Sequence, residues 1–227
     1  MTPFLKMLIK DWPALLILLA PFVLIAAFWN QIPDEIPMHW NINGEVDRWG
    51  EKGWDIFFLP LASLGAYLLM LAVPHIDPKR KAKSQQKGIR AFRHIIPFLL
   101  TGLFLVIFAQ WMGLDFELGK GIGIVLSIFF IAIGNYMQSV KPNYFIGIRT
   151  PWTLESEDIW KKTHRLGGRI WMIGGLVLLI VSVFLAERVF FWFLSFGVFF
   201  FAFVPLGYSF YLYMQSKKET AASSDAS

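Results

Sequence analysis

The residues best equipped for chemistry sit in one polar stretch, KPNYFIGIRTPWTLESEDIWKKTHRLGGR at 141–169. It offers the guanidinium groups of Arg149 and Arg165, the imidazole of His164, the amide of Asn143, the hydroxyls of Thr150 and Thr163 and the ammonium of Lys141. Arginine forks suit planar recognition of phosphate or carboxylate, and together with Arg169 they could hold a lipid phosphate. Ser156, Asp158 and His164 supply the letters of a hydrolase triad, but offsets of two and eight residues along one helix keep the three side chains apart. No Gly-rich phosphate loop follows a strand, and no HExxH occurs. A second polar stretch, IPDEIPMHWNINGEVDRWGEKGWD, carries His39, Glu45 and Asp47. Their spacing matches no strong ligand signature, so neither a metal nor a cofactor is expected.

Local structure has to place these groups. In the 141–169 stretch Lys141-Pro142-Asn143 closes an apolar run, and Thr150-Pro151 demands an extended link. A short amphipathic helix is expected to begin near Thr153 or Leu154, with Glu157/Lys161 and Asp158/Lys162 as favourable pairs one turn apart. Leu154, Ile159, Trp160, Thr163 and Leu166 lean to one side, so this helix should lie along the membrane surface. Gly167-Gly168 should break it before the next apolar run. Such a segment exceeds what a connector needs, and Asn143, Arg149, Thr150, Trp152, His164 and Arg165 fall together on one side of the protein. In the other stretch Asn43-Gly44 is a strong hairpin signal, because a type I′ turn needs positive φ at both central residues. His39-Trp40-Asn41-Ile42 and Glu45-Val46-Asp47-Arg48-Trp49 would form its arms, with Trp40, Trp49 and Trp54 at a bilayer interface.

The scaffold is read from composition. Hydrophobic residues make up 56% of 227 and charged residues only 16%, against roughly 25% in a soluble domain. Six apolar blocks, at 12–29, 56–76, 95–114, 121–140, 170–186 and 189–214, contain no Asp, Glu, Lys or Arg. A membrane-crossing helix needs roughly 20 such residues, so the fold class is an all-α integral membrane protein with six transmembrane helices. The divisions expected are 1–76 with the hairpin, 77–120 with a basic loop, 121–214 with the second polar segment, and a disordered tail at 215–227. Placing both termini in the cytoplasm puts 17 basic residues inside and 4 (Arg48, Lys52, Lys120, Arg188) outside, the bias that sets topology. The formal charge of +5 and the run HIDPKRKAKSQQKGIRAFRH therefore read as contact with anionic lipid and not with nucleic acid. Charge-free spans also disfavour an ion-coupled transporter.

The stretch GNYMQSVKPNYFIGIRTPWTLESEDIWKKTHRLGGR resembles the characteristic segment of the SdpI family of bacterial membrane immunity proteins, in its GIRTPWTL core and in WKKTHRLGG. IPMHWNINGEVDRWGEK resembles the small domain of unknown function often found at the front of the same proteins. The resemblance implies a non-enzymatic, multi-pass protein of the bacterial cell membrane that protects its producer from a secreted, membrane-active peptide toxin. It also implies a receptor that holds a cytoplasmic transcriptional repressor at the membrane. On that reading Lys141, Pro142, Asn143, Arg149, Thr150, Pro151, Trp152, Trp160, Thr163, His164 and Arg165 would meet the regulator. His39, Trp40, Asn41, Gly44, Glu45, Asp47 and Trp49 would meet the toxin. Six acids at 34, 35, 45, 47, 51 and 55 suit a cationic peptide. The competing reading is a membrane-embedded enzyme that handles lipid or envelope precursors through the inner arginines.

Overall fold

The computed structural model describes residues 9–41, 43–78 and 86–225; most of the basic run at 79–87, together with Lys6, lies outside the described residues. Six helices are long and apolar enough to cross a membrane. We label them α1 (Trp12–Phe28), α2 (Phe58–Ile76), α3 (Gln86–Trp111), α4 (Leu118–Met137), α6 (Glu157–Phe184) and α7 (Glu187–Asp225), with a one-turn helix α5 (Pro151–Glu155) before α6. Large apolar side chains point outward, as with Phe196, Phe199 and Phe203 of α7 at 68%, 64% and 59% exposure. Water would not tolerate a continuous face of this kind, whereas lipid matches it. The chain is a multi-pass membrane protein.

Between α1 and α2 the chain folds into an antiparallel hairpin, β1 (Glu35–Trp40) against β2 (Val46–Glu51). Gly44 donates its N–H to the Asn41 carbonyl at 3.0 Å, and Asn41 donates to the Glu45 carbonyl at 2.8 Å. With Gly44 at φ 80°, this is a turn closed by a glycine bulge and not the two-residue connection expected from Asn43-Gly44. The Asn41 side chain is the reason, since its Oδ1 accepts from the backbone N–H groups of Asn43 (2.8 Å) and Glu45 (3.1 Å). The first arm ends at Trp40, and Ile42, expected to close it, lies outside the described residues.

Helix packing relies on small residues. A Cβ on Gly168 would stand 2.7 Å from the Gly134 carbonyl oxygen, and one on Gly175 would stand 2.8 Å from the Ile131 nitrogen. The absence of those side chains lets α4 and α6 approach backbone to backbone. This corrects the expected helix break at Gly167-Gly168. A helical glycine costs only about 1 kcal/mol, and here it permits contact along the pair. The amphipathic segment is therefore the first turns of α6, continuous with the fifth span and not a separate helix on the membrane surface. The tail expected to be disordered from 215 is also helical through Asp225. Lys217, Lys218, Glu219, Ala221 and Ala222 are good helix formers, and the Ser216 and Thr220 hydroxyls bond back to the Tyr213 and Ser216 carbonyls.

Candidate functional site

Crossing order puts the hairpin and the 138–156 connector at opposite ends of the bundle. The connector is organised around buried side chains, first among them Asn143, Trp160 and His164. Asn143, 1% exposed, donates Nδ2 to the carbonyls of Lys141 (2.8 Å) and Ile146 (2.9 Å). Its Oδ1 accepts from the N–H groups of Phe145 (2.8 Å) and Ile146 (2.7 Å). All of its amide capacity goes to the local backbone. Trp160 donates Nε1 to the Val140 carbonyl at 2.8 Å, which anchors the end of α4 to α6. His164 stacks on the Trp160 ring at 4.0 Å. Its Nε2 accepts from the Ile148 N–H at 3.0 Å, and its Nδ1 donates to the Trp160 carbonyl at 2.8 Å. That pattern requires the neutral Nδ1–H tautomer.

Gly147 runs directly over this pair at φ 117°. A side chain there would collide with His164 Nε2 and stand 3.2 Å from the Trp160 ring. Thr150 then caps α5 in a reciprocal box with Thr153: Thr150 N–H to Thr153 Oγ1 at 2.8 Å and Thr153 N–H to Thr150 Oγ1 at 3.2 Å. Pro151 fits the first helical turn, where no N–H is needed. Trp152 docks on α7 by donating Nε1 to Ser209 Oγ at 2.9 Å and stacking on Tyr213 at 5.5 Å. Ser156 caps α6 by accepting from the Ile159 N–H.

The structure thus divides the candidate set. Asn143, Thr150, Trp160, Thr163 and His164 are buried. Lys141, Arg149 and Arg165 are exposed, with Pro142 half-buried at their edge. The Arg149 guanidinium bonds the Tyr144 carbonyl. Asp158 pairs with Lys162 at 2.7 Å and Glu157 with Lys161 at 3.1 Å, as the spacing predicts. Ser156, Asp158 and His164 each serve a different partner and do not meet.

At the other end the candidates are mostly exposed. His39 Nδ1 meets Asp47 Oδ1 at 2.5 Å, and Asn41 Nδ2 donates to Glu45 Oε2 at 2.8 Å. Trp49 is 57% and Trp54 85% exposed, whereas Trp40 is half-buried. The hairpin is fastened to the bundle by Trp111, whose Nε1 donates to the Pro37 carbonyl at 3.1 Å, and by Lys52, whose Nζ donates to the Ile32 carbonyl at 3.0 Å. Ile36 and Ile56 pack below it with Phe104 and Phe108.

One cluster was missed. Asp11, fully buried at the start of α1, meets Arg93 Nη2 at 2.7 Å, His94 Nε2 at 3.4 Å and Arg90 Nε at 3.8 Å, and accepts from Tyr67 at 3.2 Å. Read from sequence, Arg90, Arg93 and His94 belong to a basic loop in contact with anionic lipid. In the structure α3 begins at Gln86, nine residues before the expected boundary of 95, and carries all three on one face. The legible signal was their spacing together with a lone acid directly ahead of the Trp12-Pro13 helix start.

Comparison with known proteins places this geometry. The sequence model of the SdpI/YfhL protein family matches residues 139–209, which hold the connector from Ser139 onward, α6 and α7 as far as Ser209. That of a domain of unknown function (DUF1648) matches residues 16–64, which hold the hairpin. The chain is 26% identical over 180 residues to the protein named Immunity protein SdpI of Bacillus subtilis (strain 168), covering 79% of this chain and 84% of that protein. Over those stretches the chain is similar to the SdpI/YfhL family and to DUF1648. No solved structure matches it. Within the stretch similar to the SdpI/YfhL family the GIRTPW motif follows from the geometry: Gly147 passes over His164, Ile148 bonds it, Thr150 caps, Pro151 opens α5 and Trp152 docks on α7.

Proposed function

We propose that this protein is a membrane immunity protein that protects its producer from a secreted, membrane-active peptide. The observation that carries the reading is the similarity to the B. subtilis immunity protein over 79% of this chain and 84% of that protein. Charge supports the assignment of ends. The hairpin side carries exposed acids, among them Asp34, Glu35, Glu45 and Asp47, and a cationic amphipathic peptide is steered by such a surface. It would then meet Trp49 and Trp54 at the interface. The connector side faces the cytoplasm on the basis of the Lys/Arg bias. There Lys141, Arg149 and Arg165 present cations to a cytoplasmic partner, such as a transcriptional repressor. Asn143, Thr150, Trp160, Thr163 and His164 shape that surface from within and do not contact the partner.

Two experiments test this. Reporter fusions after Ser84 and Glu155 should report cytoplasm, and one after Asn43 the exterior; an external Glu155 would overturn the assignment of both faces. Expression in a cell sensitive to a peptide of this class should raise survival on challenge. A chain that inserts at normal abundance and gives no protection against any such peptide would overturn the immunity reading.

A further inference from the structure

The hairpin does not lie flush on the helices. Beneath it is a cavity of about 380 Å³, a size typical of small-ligand sites. On the hairpin side it is lined by His39, Trp40 and Arg48, and on the membrane side by Leu103, Ile107 and Leu126. From Trp111 to Leu103, both in its lining, α3 advances about 12 Å toward the membrane at roughly 1.5 Å per residue. The walls along that depth are aliphatic and aromatic, so charged side chains are confined to the mouth.

Three such side chains stand there, and two are committed. His39 is held by Asp47 at 2.5 Å, which leaves that carboxylate already engaged. Asp55 accepts from the Glu51 N–H at 2.9 Å. The third, Arg48, makes no hydrogen bond or ion pair among the described residues, and it is exposed. The cavity is also pre-formed, since the Trp111 bond to Pro37 and the Ile36, Ile56 and Phe104 packing fix the roof on α3. Occupying it requires little ordering of the protein. An apolar shaft with one uncommitted guanidinium at its mouth is complementary to an amphiphile with an anionic head and a hydrocarbon tail.

We propose that this cavity holds one acyl chain of an anionic phospholipid from the hairpin-side leaflet, with the lipid phosphate on Arg48. The bound lipid would form part of the surface on which the hairpin rests. The inference does not depend on the immunity reading, because no toxin enters it.

The test uses the full chain in detergent, stripped of lipid and then offered phosphatidylglycerol or phosphatidylcholine. Retention is read by native mass spectrometry and binding by thermal shift. The wild type should retain one phosphatidylglycerol per chain in preference to phosphatidylcholine. Arg48→Gln, an exposed change that leaves the fold intact, should weaken phosphatidylglycerol about tenfold, the loss of one charge-assisted contact. Leu126→Trp, which fills the membrane end, should reduce both lipids. Equal retention of the two lipids by wild type and Arg48→Gln would mean ordinary boundary lipid and overturn the proposal. So would a Leu126→Trp protein that keeps its lipid but loses binding of a cationic amphipathic peptide, because the cavity would then belong to a peptide side chain. Lost protection in cells with lipid retention unchanged would bear on the immunity reading alone.

Discussion

The two polar ends of this bundle use similar residues in opposite ways. At the connector, Asn143 and His164 are 1% exposed and direct their polar atoms at their own backbone. At the hairpin, His39 and Asp47 keep 61% and 43% of their side-chain surface in solvent. The connector is thus a polar plug whose chemistry is spent on shape, with the exposed cations Lys141, Arg149 and Arg165 left on its rim. The hairpin keeps its charges outward and takes its shape from the apolar contacts beneath. A buried polar network is costly when half satisfied, because an orphaned group loses water without gaining a partner. The same substitution should therefore destabilise one end and barely affect the other.

The strongest test of this contrast is Gly147→Val. It forces a side chain into the His164 and Trp160 rings at φ 117°, and the loss should be about 3 kcal/mol or more. Tryptophan fluorescence of thermal unfolding in detergent, with membrane abundance, measures it. A variant with wild-type unfolding would show that the connector is not locked.

Asn143→Ala and His164→Ala should follow, each costing roughly 2–4 kcal/mol because backbone groups are left unpaired. Asn143→Asp keeps the two acceptor contacts and should fall between Ala and wild type. A smaller loss, about 1 kcal/mol, is expected for Trp152→Phe, which removes only the Ser209 bond while keeping the ring on Tyr213.

The smallest stability effects should come from exposed charges. Arg149→Ala should leave abundance unchanged and lower signalling to a cytoplasmic partner, read by a repressor-controlled reporter. Glu45→Lys combined with Asp47→Lys should change stability by less than about 1 kcal/mol. It should still weaken protection, most clearly at low salt, where steering is least screened. Unchanged protection at both salt concentrations would reduce the hairpin to a passive cap.

How far the sequence could be read depended on the range of the interaction. Six spans follow from local apolar length, because a bilayer leaves no alternative partner for the backbone than the helix itself. The hairpin follows from Asn43-Gly44 in outline, and the Glu157/Lys161 and Asp158/Lys162 pairs follow from one helical turn. Each of these needs only neighbours in sequence. The role of the polar residues does not. His164 was legible as a residue in a functional motif, yet whether it binds a partner or holds Ile148 depends on where the connector passes. Asp11 and Arg93 stand 82 positions apart, and their pairing exists only because α1 packs against α3. The α6 helix runs through Gly167-Gly168 because α4 comes close enough to use the missing side chains. Local pattern therefore determined which segments cross the membrane and which carry polar chemistry. Only helix packing decided which polar groups are buried, since the cost of burying them is met by partners that no local pattern specifies.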